Sequence, residues 1–237
     1  MTLPIKINAP KYTINIPSTN QKIQFRPFLV GEQKNMLLVL ETNDNDNIIA
    51  AIKELITACT DGLVDVEKLT SFDLEFIFLQ IRARSVGESI ALTAECNNRD
   101  CRKQIRFAMD VTQATINIDE SPDKKIPLDD DIGVVMRYPS LNEVVYLREH
   151  KDDESVLFDV VASCIDSVWD SSDLISTSEY EKTEVVDFVN SLTVKQLNKL
   201  IDFIVLVPAV EMRQQVQCPH CDNVMDIKIE GLENFFA

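Results

Sequence analysis

Four of the six cysteines in this chain fall into two short-spaced pairs. Cys96 and Cys101 lie in "ECNNRDC", and Cys218 and Cys221 lie in "QCPHC". Two cysteines separated by two to four residues can both turn toward one metal ion, and a structural zinc takes four such ligands in a tetrahedron. One pair is therefore half a site, and two pairs make a complete one. A redox dithiol or unconnected thiols are the alternatives. A redox Cys-x-x-Cys places its first cysteine at a helix N-terminus, where the dipole favours thiolate. The flanks here are not helical. After Cys221, Val224, Asp226 and Lys228 interleave with Met225, Ile227 and Ile229, and "MRQQVQ" before Cys218 also reads as extended. Around the first pair, Ile90, Leu92 and Ala94 precede it, and Ile105 and Phe107 follow. Alternation on both sides predicts two β-hairpins with cysteines at their tips. The expected site is one structural zinc ion shared by Cys96, Cys101, Cys218 and Cys221, coupling distant parts of the chain and adding folding energy. Thiols buried only as small hydrophobes would suit less polar tips than "NNRD" and "PH". His220, between two ligands, is expected to face solvent.

The regions upstream of the two pairs are alike. "LTSFDLEFIFLQIRA" precedes the first and "LTVKQLNKLIDFIVL" the second. Thr70 with Asp73, and Thr193 with Gln196, have capping-box spacing, so each opens a helix. Thr70 precedes Cys96 by 26 residues and Thr193 precedes Cys218 by 25. Further back, "IQFRPFLVGE" matches "VVMRYPSLNE", pairing Arg26 with Arg137 and Glu32 with Glu143 at one offset, 111. Between these anchors "IKELITACTDG" matches "FDVVASCIDSV", which sets Cys59 opposite Cys164. Anchors recurring in one order at shifting offsets are the mark of a duplication with later insertions. The larger insertion, "WDSSDLISTSEYEKTEVVDFV", is in the second copy. The predicted fold is α+β: two tandem units, 1–118 and 119–237, each a strand pair, a small helical bundle and a cysteine-knuckle hairpin, joined at one zinc-ribbon-like site. "ATINIDESPDKKIPLDDDIG" between them reads as a boundary or hairpin arm. Cys59 and Cys164 lie on apolar helical faces and read as buried small hydrophobes.

Composition excludes several functions. The chain has 237 residues, 45% of them hydrophobic, the balance of a protein with a packed core. Five scattered glycines cannot build a phosphate-cradling loop or a dinucleotide fingerprint. A net charge of −16 repels phosphate backbones, so nucleic acid is not an expected partner. "MTLPIKINAPKY" lacks an apolar core of signal-peptide length, and "LIDFIVLVPAV" is too short for a bilayer. No membrane partner is expected, and the reducing cytoplasm is the expected compartment, where clustered cysteines serve metals rather than disulfides. No nucleophile sits in a catalytic setting. His150 ends a charged helix, where a cation suits the dipole. "TNDNDN" lacks the glycine and terminal glutamate of a calcium loop and reads as a helix-capping turn. Neither catalysis nor a small-molecule substrate is expected.

"FRPFLVGEQKNMLLVLE", followed by "ACTDG", "LTSFDLEFIFLQIRARSVGE" and the two cysteine knuckles, resembles the T-even-type bacteriophage base plate protein family. The likeness covers nearly all of the first copy and, more loosely, the second. It implies a hub subunit or hub assembly protein of a contractile tail, acting in the host cytoplasm during assembly and, in the retained case, in the virion baseplate. Its partners would be other tail proteins, either a baseplate hub protein or the tape measure. "FRPFLVGE" alone also resembles tail assembly chaperones of long-tailed phages, which hold the tape measure. Three readings follow: a non-enzymatic hub assembly protein with a chaperone's task, a structural subunit kept in the mature virion, or a zinc-ribbon module that binds nucleic acid. Arg99, Arg102, Lys103 and Arg106 would serve the last, but Asp222, Asp226 and Glu230 surround the second knuckle.

Overall fold

Residues 9–42, 44–116 and 122–230 are described by a computed structural model. The start of the chain, which carries the leader reading, and residues 117–121 of the boundary segment lie outside them.

Strands β1 (Tyr12–Asn15) and β2 (Lys22–Phe25) pair antiparallel, with Ile23 and Phe25 of β2 turned into the core. Helices α1 (Val30–Leu40), α2 (Asn45–Cys59) and α3 (Ser71–Ser85) follow. The "TNDNDN" segment does cap a helix: the Asp44 carboxylate accepts the Asn47 N–H. Helix α3 is the buried centre of its unit, with Phe72, Leu74, Ile77, Leu79 and Ile81 almost wholly enclosed. Its first turn carries the expected capping box between Thr70 and Asp73. The Asp73 carboxylate also accepts the backbone N–H and the hydroxyl of Ser18, at 2.9 and 2.5 Å, tying the turn after β1 to the helix. Strands β3 (Ser89–Glu95) and β4 (Gln104–Asp110) form the first cysteine hairpin, and β5 (Thr115–Ile116) follows.

Strands β6 (Lys125–Pro127) and β7 (Gly133–Met136) form a second strand pair, leading to α4 (Leu141–Glu149) and α5 (Glu154–Ser163). The chain then adds β8 (Ile165–Trp169), β9 (Leu174–Ser176) and α6 (Lys182–Asn190), so the sheet runs β6-β7-β8-β9. Gly133 pairs with Trp169 in this sheet, and a Cβ there would lie 2.2 Å from the indole ring. Helix α7 (Val194–Val205) opens with the Thr193–Gln196 capping box. Strands β10 (Val210–Gln217) and β11 (Val224–Glu230) form the second cysteine hairpin, and β10 also pairs with β5.

The chain separates into two compact units, Met1–Ile116 with Ala209–Ala237, and Asn117–Pro208. This spatial division is not the repeat division drawn at 118/119. The last hairpin, which the sequence reading placed in 119–237, belongs with the first unit, because β10 pairs with β5 there and its cysteines meet those of the first hairpin.

Each unit contains the same ion-pair latch. In the first, Arg26 follows β2 and donates to both Glu32 oxygens, at 2.9 and 2.7 Å, and to the Pro27 carbonyl. Glu32 accepts the Leu29 N–H at the start of α1, and the Arg26 N–H donates to the Cys59 carbonyl at the end of α2. In the second, Arg137 follows β7 and donates to both Glu143 oxygens at 2.9 and 2.7 Å and to the Tyr138 carbonyl. Glu143 accepts the Ser140 N–H, and the Arg137 N–H donates to the Cys164 carbonyl. One bidentate pair thus fixes a strand end, a helix start and the end of the next helix. The second latch has two further bonds to Glu143, from the Ser163 hydroxyl, where the first unit has Ala58, and from the Ser140 hydroxyl, where the first unit has Leu29. Burial would raise the Glu143 pKa, but the bonds from Arg137, Ser163 and the Ser140 N–H outweigh it and hold the group at about 2. At Glu32, the bond from Arg26 is the leading cause of a lowered pKa, opposed by burial. Cys59 and Cys164 are buried beside the latches, and burial pushes both thiols up to about 12.

Glu143→Gln is therefore expected to destabilise the chain by about 1–3 kcal/mol, the range for a broken pair whose arginine still reaches water. Because the folded pKa lies below the ordinary 4.5, the contribution of Glu143 is fully present above about pH 4.5 and vanishes as pH falls through 2. Urea titrations of both chains between pH 7 and pH 2 check this. The difference between them should shrink over that window.

Candidate metal centre

The two cysteine hairpins end in turns built alike. The Cys96 N–H donates to the Lys103 carbonyl at 2.9 Å, and the Cys218 N–H donates to the Asn223 carbonyl at 2.9 Å. The residue after the second cysteine is left-handed in each, Arg102 with φ 44° and Asp222 with φ 55°. Neither is glycine, and this conformation costs about 1 kcal/mol or more for a residue with a Cβ. It brings the chain back so that both thiols of a tip point the same way. The Arg102 N–H donates to the Asn98 carbonyl, and the Asp222 N–H to the Cys218 carbonyl, closing each turn. The first tip accommodates two more residues than the second without changing this exit.

The four thiols meet. All four Sγ atoms of Cys96, Cys101, Cys218 and Cys221 lie within 4.8 Å of one another. Two contacts cross between the hairpins: Cys96 to Cys221 at 3.7 Å and Cys101 to Cys218 at 3.8 Å. These distances are far too long for a disulfide, and all six cysteines are free. A regular tetrahedron with sulfurs about 2.3 Å from its centre has edges of about 3.8 Å. The thiols are thus already spaced as ligands of one tetrahedral ion.

Backbone N–H groups are aimed at the sulfurs. Burial opposes ionisation of Cys218, yet the His220 N–H, the neighbouring thiols and the Cys221 N–H draw it down to about 7. At Cys96 the Asn98 N–H also favours thiolate, but burial and the other three thiols push it up to about 11. At Cys101 the Lys103 N–H favours thiolate, but burial, Cys221 and Cys218 raise its pKa. Four uncompensated thiolates cannot coexist in so small a space, whereas a divalent cation at the centre favours all of them. The donor set is all sulfur, which suits a soft or borderline ion.

The cluster rests on a small apolar core of Ile105, Val216 and Met225, flanked by Ala94, Phe107 and Ile227. Side chains beside the cysteines lock the hairpins together. Asn223 donates to the Asn97 side-chain oxygen at 2.6 Å, Asn98 donates to the Cys221 sulfur at 3.7 Å, and the Asn97 N–H donates to the Met225 sulfur at 3.3 Å. Sequence reasoning gave none of these four residues a role in bridging the tips. Their roles depend on which tip faces which, and the only legible signal was an asparagine within two residues of a cysteine in both tips. His220 is exposed, as expected. Arg99, Arg102, Lys103 and Arg106 are all exposed on the first hairpin.

A family model described as T4 bacteriophage base plate protein matches residues 9–237, nearly the whole chain. No curated protein and no solved structure gives a significant match. No helix among the described residues is long and apolar enough to cross a membrane.

The folded chain is expected to take up one thiophilic divalent ion. Cys218→Ser should weaken binding by more than about tenfold, the loss expected when even a partner outside the ligand set is removed, and should lower the melting temperature. Cys164→Ala should leave metal content unchanged, since Cys164 stands beside the latch. Metal analysis with thermal melts of the three chains checks this.

Proposed function

The chain belongs to the T4 bacteriophage base plate protein family, and we propose that its task there is non-enzymatic. It acts as an assembly protein of the baseplate hub, holding another tail protein, a central hub protein or the tape measure, while the hub is built. Its scaffold is clamped by one structural zinc ion on Cys96, Cys101, Cys218 and Cys221. The closed cluster of four thiols is the observation that carries this reading. Four thiolate ligands leave no open position for water, so such an ion has a structural and not a catalytic use. The remaining cysteines, Cys59 and Cys164, are buried with thiols pushed up to about 12, which is unsuited to nucleophilic attack.

The twin latches support a tandem duplication as the origin of this scaffold. Arg26, Glu32 and Cys59 make the same bonds as Arg137, Glu143 and Cys164. On this reading the second copy lent its knuckle hairpin to the unit of the first, and the metal fixes the exchange. A zinc-ribbon use on nucleic acid has only the four exposed cations of the first hairpin in its favour, against a net charge of −16.

Quantitative mass spectrometry of purified virions and of tail-assembly intermediates separates the two baseplate readings. The assembly role expects the chain in intermediates and its loss from virions. Presence in virions at fixed stoichiometry would replace that role with a retained structural subunit.

A further inference from the structure

The second unit offers an internal control for the first. At the offset that pairs Arg26 with Arg137 and Glu32 with Glu143, Leu37 and Leu38 of α1 correspond to Arg148 and Glu149 of α4. All four positions are exposed. In the second unit, charged residues serve at this end of the helix that follows the latch. The latch and the fold around it therefore do not require leucine there. Yet Leu37 and Leu38 are 53% and 63% exposed, and Val30, one turn-pair earlier on the same side, is 70% exposed. Two adjacent exposed leucines where the matching helix is charged point to a surface that something covers.

The chemistry of that surface names its occupant. Helix α1 buries Met36. Opposite that buried side lie Val30, Lys34, Leu37, Leu38 and Glu41, at helical spacings of four, seven, eight and eleven residues. Lys34 and Glu41 are exposed, and among the described residues neither makes an ion pair. They stand two turns apart, one cationic and one anionic, on either side of the leucines. An antiparallel pairing of two copies of α1, centred between Leu37 and Leu38, puts Lys34 of each copy opposite Glu41 of the other. It also stacks the four leucines at the centre. The face is its own complement, as a two-fold interface requires. We propose that α1 is a self-association surface, and that the occupant of its outer face is α1 of a second copy of this chain.

Sedimentation equilibrium of the intact metal-loaded chain tests this. The wild type should dimerise reversibly. Lys34→Glu alone and Glu41→Lys alone each set like charges opposite one another twice per dimer, and each should weaken dimerisation by about tenfold or more. The double exchange, Lys34→Glu with Glu41→Lys, should restore it, because the pairs re-form with reversed sign. Leu37→Arg with Leu38→Glu, which installs the residues of the second unit, should abolish the dimer while leaving the melting temperature of the monomer unchanged. A wild type that stays monomeric at the highest soluble concentration overturns the proposal. So does a dimer that the two single charge reversals leave intact, or one that the double exchange fails to rescue.

Discussion

Four thiols drawn from two hairpins more than a hundred residues apart meet within one coordination sphere. That meeting constrains much of the architecture around it. The last hairpin of the chain must return to the first, so the chain passes through an entire second unit between the two halves of the site. The apolar core beneath the thiols is small, with five fully buried members including two of the cysteines. Hydrophobic burial alone is a weak tie for two such hairpins, and a metal held between their tips would add folding energy. The N–H groups of Asn98, Lys103 and His220 lie ready to stabilise thiolate, so the tips are arranged for charge that only a cation can balance.

The latches fix the other end of each unit. Strand end, helix start and the close of the following helix converge on one arginine and one glutamate. The geometry is the same to within a few tenths of an ångström in both units, although the residues around it differ. Three bonds of each latch run to the backbone, so the exposed helix faces around it are not constrained by it. Those faces differ, with exposed leucines on α1 and exposed charged residues on α4.

Much of this was legible in the sequence. Period-two flanks placed both hairpins, and Thr70 and Thr193 marked two helix starts through capping chemistry. Cysteine spacing named all four members of the thiol cluster, since metal geometry restricts ligand spacing so tightly. What was not legible depended on contacts between distant segments. The repeat boundary at 118/119 was drawn from likeness along the chain, and likeness does not reveal that β10 would pair with β5. Asn97, Asn98 and Asn223 bridge the tips through side chains whose partners are set only once the tips face each other. Arg26 and Glu32 were legible as anchors of a repeat, but not as an ion pair. That both matched Arg and Glu pairs are ion pairs is visible only in three dimensions.

The most direct test of the central claim is X-ray absorption at the zinc edge on the purified full-length chain. The account expects one zinc per chain, surrounded by four sulfurs at about 2.3 Å and no nitrogen or oxygen ligand. A first shell with light-atom ligands, or a folded chain that purifies under reducing conditions without a stoichiometric metal, would contradict it.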